Sequence, residues 1–360
     1  MDFLKLRKML PAIINSGVSV ELVSSPGLGK SEFVEQVRAD MEKATNQKWG
    51  FAKMFLATQT PPDLIGYQFK GERDFGAGPV AVTEPTLPLW MMTTDGKPVQ
   101  AYERGILFLD EYGQGEADVK RASAELLLNK QIGPWKLPDG WSVIAASNRS
   151  SDRSGVTKSF DFVINRRLEV EVSPSVDAWT EWAMEHGIAP LTVAFANQNP
   201  HIVFEGKVPD KQGPWCTPRS LVMADNILQS LRGNGEDLPD GPEAVELITG
   251  MIGAAASAQY FSFVRLEREM PKYEKIIASP DNVKVPEKPD AQMLVIYNLA
   301  HRVKLDELDA VITYIKRMPK EFSVTFARSA CKLNPQLVAS KAMNQWCSDN
   351  ASLMAAIAHH

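Results

Sequence analysis

The segment SSPGLGKS at residues 24–31 combines the residue types of a phosphate-binding loop. Gly27 and Gly29 allow the backbone to wrap closely around phosphate oxygens, and the start of a helix presents free N–H groups and a positive macrodipole end to an anion. In such a loop Lys30 reaches the β- and γ-phosphates, and the Ser31 hydroxyl coordinates Mg²⁺. The predicted nucleotide-binding residues are Ser25, Pro26, Gly27, Leu28, Gly29, Lys30 and Ser31.

Ser24 is a departure from the loop pattern G-x-x-x-x-G-K-[ST], which expects glycine at that position. Serine fits the start of such a turn as long as its φ angle stays negative, so the departure weakens the match without breaking it. A glycine-rich turn that only caps a helix is the alternative interpretation. The apolar run before the loop and the helical pattern after it argue against that alternative.

Two adjacent carboxylates follow another apolar run, in the sequence GILFLDE at residues 105–111. The apolar residues Ile106–Leu109 predict a buried strand, and parallel sheets present functional groups at the carboxyl ends of their strands. We expect Asp110 to hold Mg²⁺ and its water, and Glu111 to polarise an attacking water. The alternative is an acidic turn after a core strand, which is a common feature without catalytic meaning.

Strand-like and helix-like patterns alternate over residues 1–172, which predicts an α/β structure with a largely parallel sheet. Asp2 is expected to cap a first helix that runs toward Asn15, and Gly17 to end it. A second helix with a clear helical period is expected from Lys30. The predicted strands are Val18–Val23, Ala52–Ala57, Ile106–Leu109, Val143–Ala146 and Leu168–Val172.

Strand signals disappear after Val172, and the remaining patterns predict helices. The stretch Leu247–Val264 has no charged residue, but its polar residues, glycines and alanines favour a buried lid helix over a membrane span. The predicted organisation is an α/β nucleotide-binding core at 1–172, a helical lid at 173–270, a linker or exposed loop at 271–290, and a helical C-terminal extension of unassigned role at 291–360.

The composition excludes several classes of protein. The 360 residues include 39 Lys plus Arg and 44 Asp plus Glu, and the formal charge of −5 argues against a nucleic-acid footprint over the whole protein. With 44% hydrophobic and 23% charged residues, the chain is not disordered. Cys216, Cys331 and Cys347 are too few and too dispersed for a disulfide framework or a zinc site, and they suit a reducing cytosol. The N-terminal MDFLKLRKML does not have a signal-peptide pattern, so a soluble cytoplasmic protein without a membrane segment is expected.

With its motifs in this order, the chain resembles the AAA+ ATPases and, within them, the MoxR family, over roughly residues 1–270. The resemblance implies a P-loop NTPase core with a parallel five-stranded sheet, followed by an α-helical lid and an α-helical C-terminal extension. The sequence AASN at 145–148 matches the sensor-1 position, which implies that Asn148 contacts the γ-phosphate or orients water. An asparagine in a strand-end turn is the plainer alternative.

Two further segments that resemble the family contain candidate functional arginines. The sequence INRRLEVEV at 164–172 is similar to the family's arginine-finger segment. This implies that Arg166, or the adjacent Arg167, neutralises charge on the phosphate bound by a neighbouring subunit. The sequence CTPRSL at 216–221 resembles the sensor-2 motif, which implies that Arg219 contacts the γ-phosphate within the same subunit. Exposed arginines before a strand, and a proline-led helix start, are the plainer alternatives.

The segment PPDLIGYQF at 61–69 also resembles the MoxR family, after its second strand. The resemblance implies that residues 70–104 contain an insertion, which accounts for the long spacing between the loop and the acidic pair. Within it, Phe75 either faces a pore or, as we expect more, packs against a β-turn. A hairpin is expected at Lys130–Trp141.

The resemblance implies an enzyme that hydrolyses ATP to ADP and phosphate with Mg²⁺, and that remodels or activates a protein client. An arginine finger acting on a neighbouring subunit requires a homo-oligomer, and the family implies a hexameric ring. The alternative is a nucleic-acid-dependent AAA+ motor or loader, which is disfavoured because the sequence has no basic run and no recognisable nucleic-acid-binding motif. A nucleotide-binding scaffold that barely turns over and a small-molecule kinase fit the motifs less well.

Overall fold

The structure, a computed structural model, describes residues 1–149, 164–205, 209, 212–233 and 237–350. The chain divides into two compact units, Met1–Pro174 and Ser175–His360. The strands of the described residues all lie in the first unit. They are β1 Val20–Ser24, β2 Trp49–Phe55, β3 Gln68–Asp74, β4 Pro79–Pro85, β5 Arg104–Asp110, β6 Gln131–Ile132, β7 Trp135–Lys136, β8 Gly140–Asn148 and β9 Leu168–Glu171.

Five of these strands form a parallel sheet with the order β2–β5–β8–β1–β9. All five predicted strands are present. The second begins earlier than predicted, at Trp49, and ends at Phe55, because Leu56–Thr58 forms a 3₁₀ turn. The predicted fold class is therefore confirmed in its architecture: an α/β core with a five-stranded parallel sheet, followed by helices.

The helices of the first unit follow the signals in the sequence. Asp2 caps the first helix by accepting a hydrogen bond from the Lys5 backbone N–H, and Gly17 ends it in the left-handed conformation, both as predicted. The helices are α1 Phe3–Ser16, α2 Lys30–Thr45, α3 Pro61–Ile65 and α4 Ala117–Asn129.

Alternate residues of the central strand β5 are buried in two different cores. Ile106 and Phe108 join the core formed with α1 and α2, whereas Leu107 and Leu109 join the core that includes α4 and Trp141. A parallel strand covered on both faces becomes an unbroken apolar run, which is why Ile106–Leu109 is so clear a strand signal. The sheet is therefore packed on both faces, which fixes the position of the edge at which its parallel strands end.

Two small antiparallel hairpins flank the sheet. Strands β6 and β7 form the hairpin expected between Lys130 and Trp141. Strands β3 and β4 form a longer hairpin within the predicted insertion. Phe75 lies between these two strands with 71% of its surface exposed, so the expectation that it packs against a turn is wrong. Gly76 and Gly78, which follow it, have positive φ angles that glycine adopts without strain.

The described part of the second unit is helical. Its helices are α5 Val176–Glu185, α6 Pro190–Gln198, α7 Pro200–Val203, α8 Pro218–Arg232, α9 Pro242–Ile252, α10 Ala254–Glu269, α11 Tyr273–Ala278, α12 Pro289–Arg302, α13 Leu308–Ile315, α14 Lys320–Leu333 and α15 Lys341–Asp349.

The uncharged stretch Leu247–Val264 is not one helix, which corrects the sequence-based expectation. It spans two helices, α9 and α10, that meet at Gly253. Gly253 has a φ of +81°, and a Cβ atom there would lie 2.7 Å from the Pro214 carbonyl oxygen. Only glycine fits this close approach without strain, so the helix breaks at that residue.

Residues 271–290, predicted as a linker or exposed loop, contain the helix α11, and Ile276 on that helix is buried in a core shared with the C-terminal helices. Helix α12, which opens the predicted extension, also contributes Leu294 and Tyr297 to the core of the lid helices. The lid, the connecting segment and the extension thus share cores within one unit. None of the helices in the described ranges is both long enough and apolar enough to cross a membrane.

Candidate nucleotide-binding site

Three strands of the sheet end in polar residues that lie at the same edge. Ser24, Asp110 and Asn148 are the last residues of β1, β5 and β8 respectively, and these three strands are neighbours in the order β5–β8–β1. Because parallel strands end at a common edge, their terminal side chains are brought close together in space. The edge therefore collects residues that are up to about 120 positions apart in the chain, as the Ser24 and Asn148 pair shows.

The predicted phosphate loop connects β1 to α2, and its residues 25–29 are half-buried. Gly29 is the N-cap of α2 with a φ of +91°, a conformation that favours glycine. Because it is a glycine, it has no side chain that could accept hydrogen bonds from the first N–H groups of the helix. Those N–H groups therefore remain at the loop. The loop thus fits an anion such as a phosphate, which binds where helix N–H groups and the macrodipole converge.

Lys30 is buried and its ammonium group lies at the centre of the site. Its Nζ donates to Asn148 Oδ1 at 2.8 Å and to Ser24 Oγ at 3.1 Å. Phosphate oxygens are stronger acceptors for an ammonium group than a neutral amide or hydroxyl oxygen, because the hydrogen bond is then assisted by charge on both sides. The position of Lys30 therefore suits phosphate binding.

Ser24, the departure from the loop pattern, takes part in this arrangement. It lies fully buried at the end of β1, and its hydroxyl donates to the Ser25 carbonyl oxygen at 3.0 Å. It is not among the residues with a positive φ, so serine is accommodated without backbone strain. The side chain that replaces glycine thus adds an oxygen that accepts from Lys30.

Asp110 carries the oxygen best placed to hold a cation. Ser31 Oγ donates to Asp110 Oδ2 at 2.7 Å, and Lys53 Nζ lies 3.1 Å from the same oxygen. A carboxylate and a hydroxyl are ligands that Mg²⁺ accepts, with phosphate oxygens and water completing the octahedron. No group of three or more His, Cys, Asp or Glu in the described ranges is placed to hold a metal. The donor set therefore fits a magnesium ion that is held together with a phosphate.

Glu111 adopts an unusual backbone conformation. Its φ is +52° and its ψ is +37°, a left-handed conformation that costs a non-glycine residue about 1–3 kcal/mol. The side chain accepts a hydrogen bond from Asn148 Nδ2 at 2.9 Å. Since Asn148 accepts from Lys30 and donates to Glu111, only one orientation of its amide satisfies both contacts. Lys30, Asn148 and Glu111 thus form a continuous hydrogen-bonded chain.

The predicted arginines differ in exposure. Arg166 is exposed just before β9. The side chain of the adjacent Arg167 is only 3% exposed and forms an ion pair with Glu21, so it is not available to a neighbouring subunit. Arg219 is exposed in the first turn of α8, directly after Pro218, within the second unit. Lys30, Ser31, Asp110, Glu111 and Asn148 come together in the first unit.

Two basic residues at the site were not predicted from the sequence. Lys53, on β2, pairs with Asp110, and its place among apolar strand residues was the available signal. Arg149 directly follows the predicted Asn148. Its guanidinium group lies 3.4 Å from Ser25 Oγ and 3.0 Å from Glu171 Oε1, and so joins the phosphate loop to the end of β9.

No family model and no curated protein sequence matches the chain. Among solved structures, a RuvB variant from Thermotoga maritima is 12% identical, with a TM-score of 0.39 over 77% of this chain and 75% of that chain. NtrX from Brucella abortus in complex with ADP is 13% identical, with a TM-score of 0.40 over 91% of this chain and 67% of that chain. These likenesses concern architecture alone. At these identities and TM-scores they identify neither a family nor an activity.

Proposed function

We propose that the chain is an Mg²⁺-dependent ATPase of the AAA+ type that hydrolyses ATP to ADP and phosphate. The observation that carries the proposal is the hydrogen-bonded chain from Lys30 through Asn148 to Glu111, at the loop where α2 begins. At one edge of a parallel sheet it joins the ammonium group of Lys30, which can bind a phosphate, to the amide of Asn148 and the carboxylate of Glu111. This is the combination that phosphoryl transfer to water requires, because that reaction depends on positioning and charge stabilisation.

Each side chain has a role that follows from its contacts. Lys30 binds the phosphates, and Ser31 and Asp110 would hold Mg²⁺, which when bound neutralises phosphate charge. Glu111 accepts a hydrogen bond from Asn148 Nδ2. With that hydrogen bond to fix its orientation, Glu111 accepts a proton from the attacking water as general base.

Substitution of Glu111 by glutamine tests this assignment. Glu111→Gln keeps the size of the side chain and an oxygen acceptor for Asn148, and it removes the basic oxygen. We expect hydrolysis to fall by about 100-fold or more while ATP affinity stays near that of the unsubstituted protein. Phosphate release and titration with a fluorescent ATP analogue measure the two quantities. Normal hydrolysis by this variant would show that Glu111 is not the general base.

We further propose that the protein acts as a ring-shaped homo-oligomer of the MoxR type, with Arg166 directed at the phosphate of a neighbouring subunit. The exposure of Arg166, and the burial of Arg167 against Glu21, support Arg166 as the finger. Mixtures of Arg166→Ala and Lys30→Ala proteins test this idea, because a hybrid interface would pair an intact Arg166 with an intact Lys30. We expect recovery of ATPase activity in the mixture and none in either variant alone. An inactive mixture whose subunits do assemble would count against a finger that acts between subunits.

The proposed client is a protein that the ring remodels or activates. The exposed β3–β4 hairpin, with Phe69 60% and Phe75 71% exposed, offers apolar side chains for such a contact. Incubation of Glu111→Gln with ATP would trap the client for identification. Stimulation of the ATPase by DNA, with a steep loss at higher salt concentration, would instead favour the nucleic-acid motor.

A further inference from the structure

A second group of polar residues lies beneath the sheet edge, and only one of them, Arg167 as the alternative to Arg166, was considered for catalysis from the sequence. It consists of Glu21, Tyr112, Lys120, Ser147 and Arg167, which we call the Glu21 cluster. Glu21, Tyr112, Lys120 and Ser147 are buried, and the Arg167 side chain is 3% exposed. Burial of so many ionisable groups is costly unless they are paired, so their arrangement calls for a physical explanation.

Glu21 is the centre of the cluster. Its Oε1 accepts a hydrogen bond from Ser147 Oγ on β8, and its Oε2 forms an ion pair with Arg167 Nη2 just before β9. Burial raises the pKa of the Glu21 carboxyl, and the positive charge of Arg167 opposes that increase. One carboxylate on β1 thereby joins the two strands on either side of it, β8 and β9.

Tyr112 provides the second connection. The Arg167 guanidinium lies 5.5 Å from the centroid of the Tyr112 ring, and Lys120 Nζ lies 5.6 Å from it. Both distances are within the range of cation–π contact. Within the described ranges, Arg167 Nε and Nη1 and the Tyr112 hydroxyl are buried without a hydrogen-bond partner. The cluster is therefore held by the Glu21–Arg167 ion pair, the hydrogen bond from Ser147 to Glu21 and the ring contacts, and it leaves several buried polar atoms without a hydrogen bond.

Three residues of the Glu21 cluster are next in sequence to candidate catalytic residues. Tyr112 directly follows Glu111, Ser147 directly precedes Asn148, and Arg167 directly follows Arg166. Ser147 and Asn148 are adjacent on β8 and so point to opposite faces, whereas Tyr112 and Arg167 lie in the turns beside β5 and β9. In three separate segments, the residue next to a candidate catalytic residue belongs to this cluster: Ser147 and Arg167 contact Glu21, and Tyr112 contacts Arg167.

We propose that Glu21 and Arg167 are positioning residues, whose buried ion pair holds the segments of Glu111, Asn148 and Arg166 in a fixed mutual arrangement. This inference rests on the proposed ATPase function and goes beyond it, since it names the device that aligns the site. It also gives Glu111 a reason for its left-handed backbone: Tyr112, held under the Arg167 guanidinium, anchors the turn that Glu111 begins. A strained backbone persists only where the surrounding structure determines it.

The test replaces both partners of the Glu21–Arg167 ion pair, so that neither of the two charges remains buried without the other. In the double variant Glu21→Gln with Arg167→Met, the glutamine still accepts from Ser147, and the methionine fills the space of the arginine stem. Replacement of a buried ion pair by neutral groups of similar volume is often tolerated. We expect a folded protein with ATP affinity within about 3-fold of the unsubstituted one and kcat lower by about 10-fold to 100-fold, as for a misplaced catalytic group.

The matched control is the double variant Arg7→Met with Asp40→Asn. This pair is bidentate and joins α1 to α2 in the same unit, with side chains 32% and 34% exposed, away from the three segments. We expect its kcat to be unchanged. If the Glu21/Arg167 double variant kept its full kcat, the proposal would be overturned.

A second comparison covers the case in which the double variant does not fold. Tyr112→Leu removes the ring beneath Arg167 without leaving a new unpaired charge, whereas Tyr112→Phe keeps the ring. We expect Tyr112→Leu to lose kcat by about 10-fold or more, and Tyr112→Phe to retain most of it. Equal kcat for both variants would contradict the connection through Tyr112.

Hydrogen–deuterium exchange separates this inference from the proposed function. The backbone amides of residues 111–114 and 147–149 should exchange faster in the Glu21/Arg167 double variant than in the unsubstituted protein, with or without ATP. Absence of ATP hydrolysis in the unsubstituted protein would refute the proposed function alone. Unchanged exchange at both segments would refute the positioning role, whatever the activity.

Discussion

Two sets of polar residues lie at the same edge of the sheet, and they differ in what could replace their contacts. In the candidate site, Lys30 and Asp110 contact neutral groups or a half-exposed lysine beside a half-buried loop, so phosphate and cation can take over those contacts. In the Glu21 cluster, Glu21 and Arg167 contact one another in the interior. Contacts that a ligand can replace, as in the candidate site, suit ligand binding. Contacts that are buried and cannot be replaced, as in the Glu21 cluster, suit the positioning of neighbouring groups.

The difference arises from the alternation of residues along strands. On β8, Ser147 joins the buried cluster while Asn148, one residue further, joins the site at the strand end. A single residue of register therefore separates a side chain at the candidate site from one in the buried cluster. Substitutions in one set, with the other set as the comparison, test whether the two sets have different roles.

The largest expected effect is the loss of ATP affinity when Lys30 is replaced by a neutral residue. Replacement of the other buried lysine, Lys120, is the comparison. Lys30→Ala removes the cation at the phosphate loop, and we expect ATP affinity to fall by about 100-fold or more, because a charge-assisted contact to phosphate is lost. Lys120→Met removes a cation from the Glu21 cluster and should leave ATP affinity within about 3-fold. Titration with a fluorescent ATP analogue measures both. Equal losses of affinity would abolish the distinction between the two sets.

A smaller effect is expected on stability when the buried pair is broken on one side. Glu21→Leu removes the buried carboxylate of Arg167 and leaves it only the half-exposed Glu169, 3.3 Å from Arg167 Nη2. We expect the free energy of unfolding to fall by about 3 kcal/mol. Asp40→Asn breaks the partly exposed pair with Arg7 and should cost about 1 kcal/mol or less. Urea denaturation followed by circular dichroism measures both values. A Glu21→Leu protein as stable as the Asp40→Asn protein would mean that the buried pair contributes nothing to the fold.

The smallest expected effect is a dependence of stability on pH. Burial lowers the pKa of Lys120 from its ordinary value of 10.5 to about 8, with Arg167 adding to the decrease and Glu21 opposing it. The unfolded chain then binds more protons than the folded one between these two values, so the free energy of unfolding rises as pH increases from about 8 toward 10.5. Tyr112, whose pKa burial raises to about 12, contributes the opposite trend above its ordinary value of 10.0.

Lys120→Met isolates the lysine from the tyrosine. The difference in the free energy of unfolding between the unsubstituted protein and this variant, measured by urea denaturation at several pH values, should grow in favour of the unsubstituted protein as pH rises from about 8 toward 10. A constant difference across that interval would show that Lys120 titrates alike in the folded and unfolded states.

Much of the first unit follows from local patterns in the sequence. The Asp2 cap and the Gly17 stop set the ends of α1, and the apolar run at Ile106–Leu109 predicts β5. The loop at 24–31 is a contiguous motif, so its place between β1 and α2 could also be predicted. These features depend on neighbours in the chain, for which spacing carries the necessary information.

Other features depend on groups that meet only after folding. No sequence pattern signals that Arg167 turns inward to Glu21. The position of Lys53 among apolar strand residues marks it as unusual but does not name Asp110 as its partner, because the sheet brings the two strands together only on folding. The division of Leu247–Val264 into two helices likewise depends on the Pro214 carbonyl that approaches Gly253. The sequence by itself determined the motifs and the class of fold, since those are local. Which polar residues lie at the candidate site and which are buried beneath it was decided only by the register and packing of the strands.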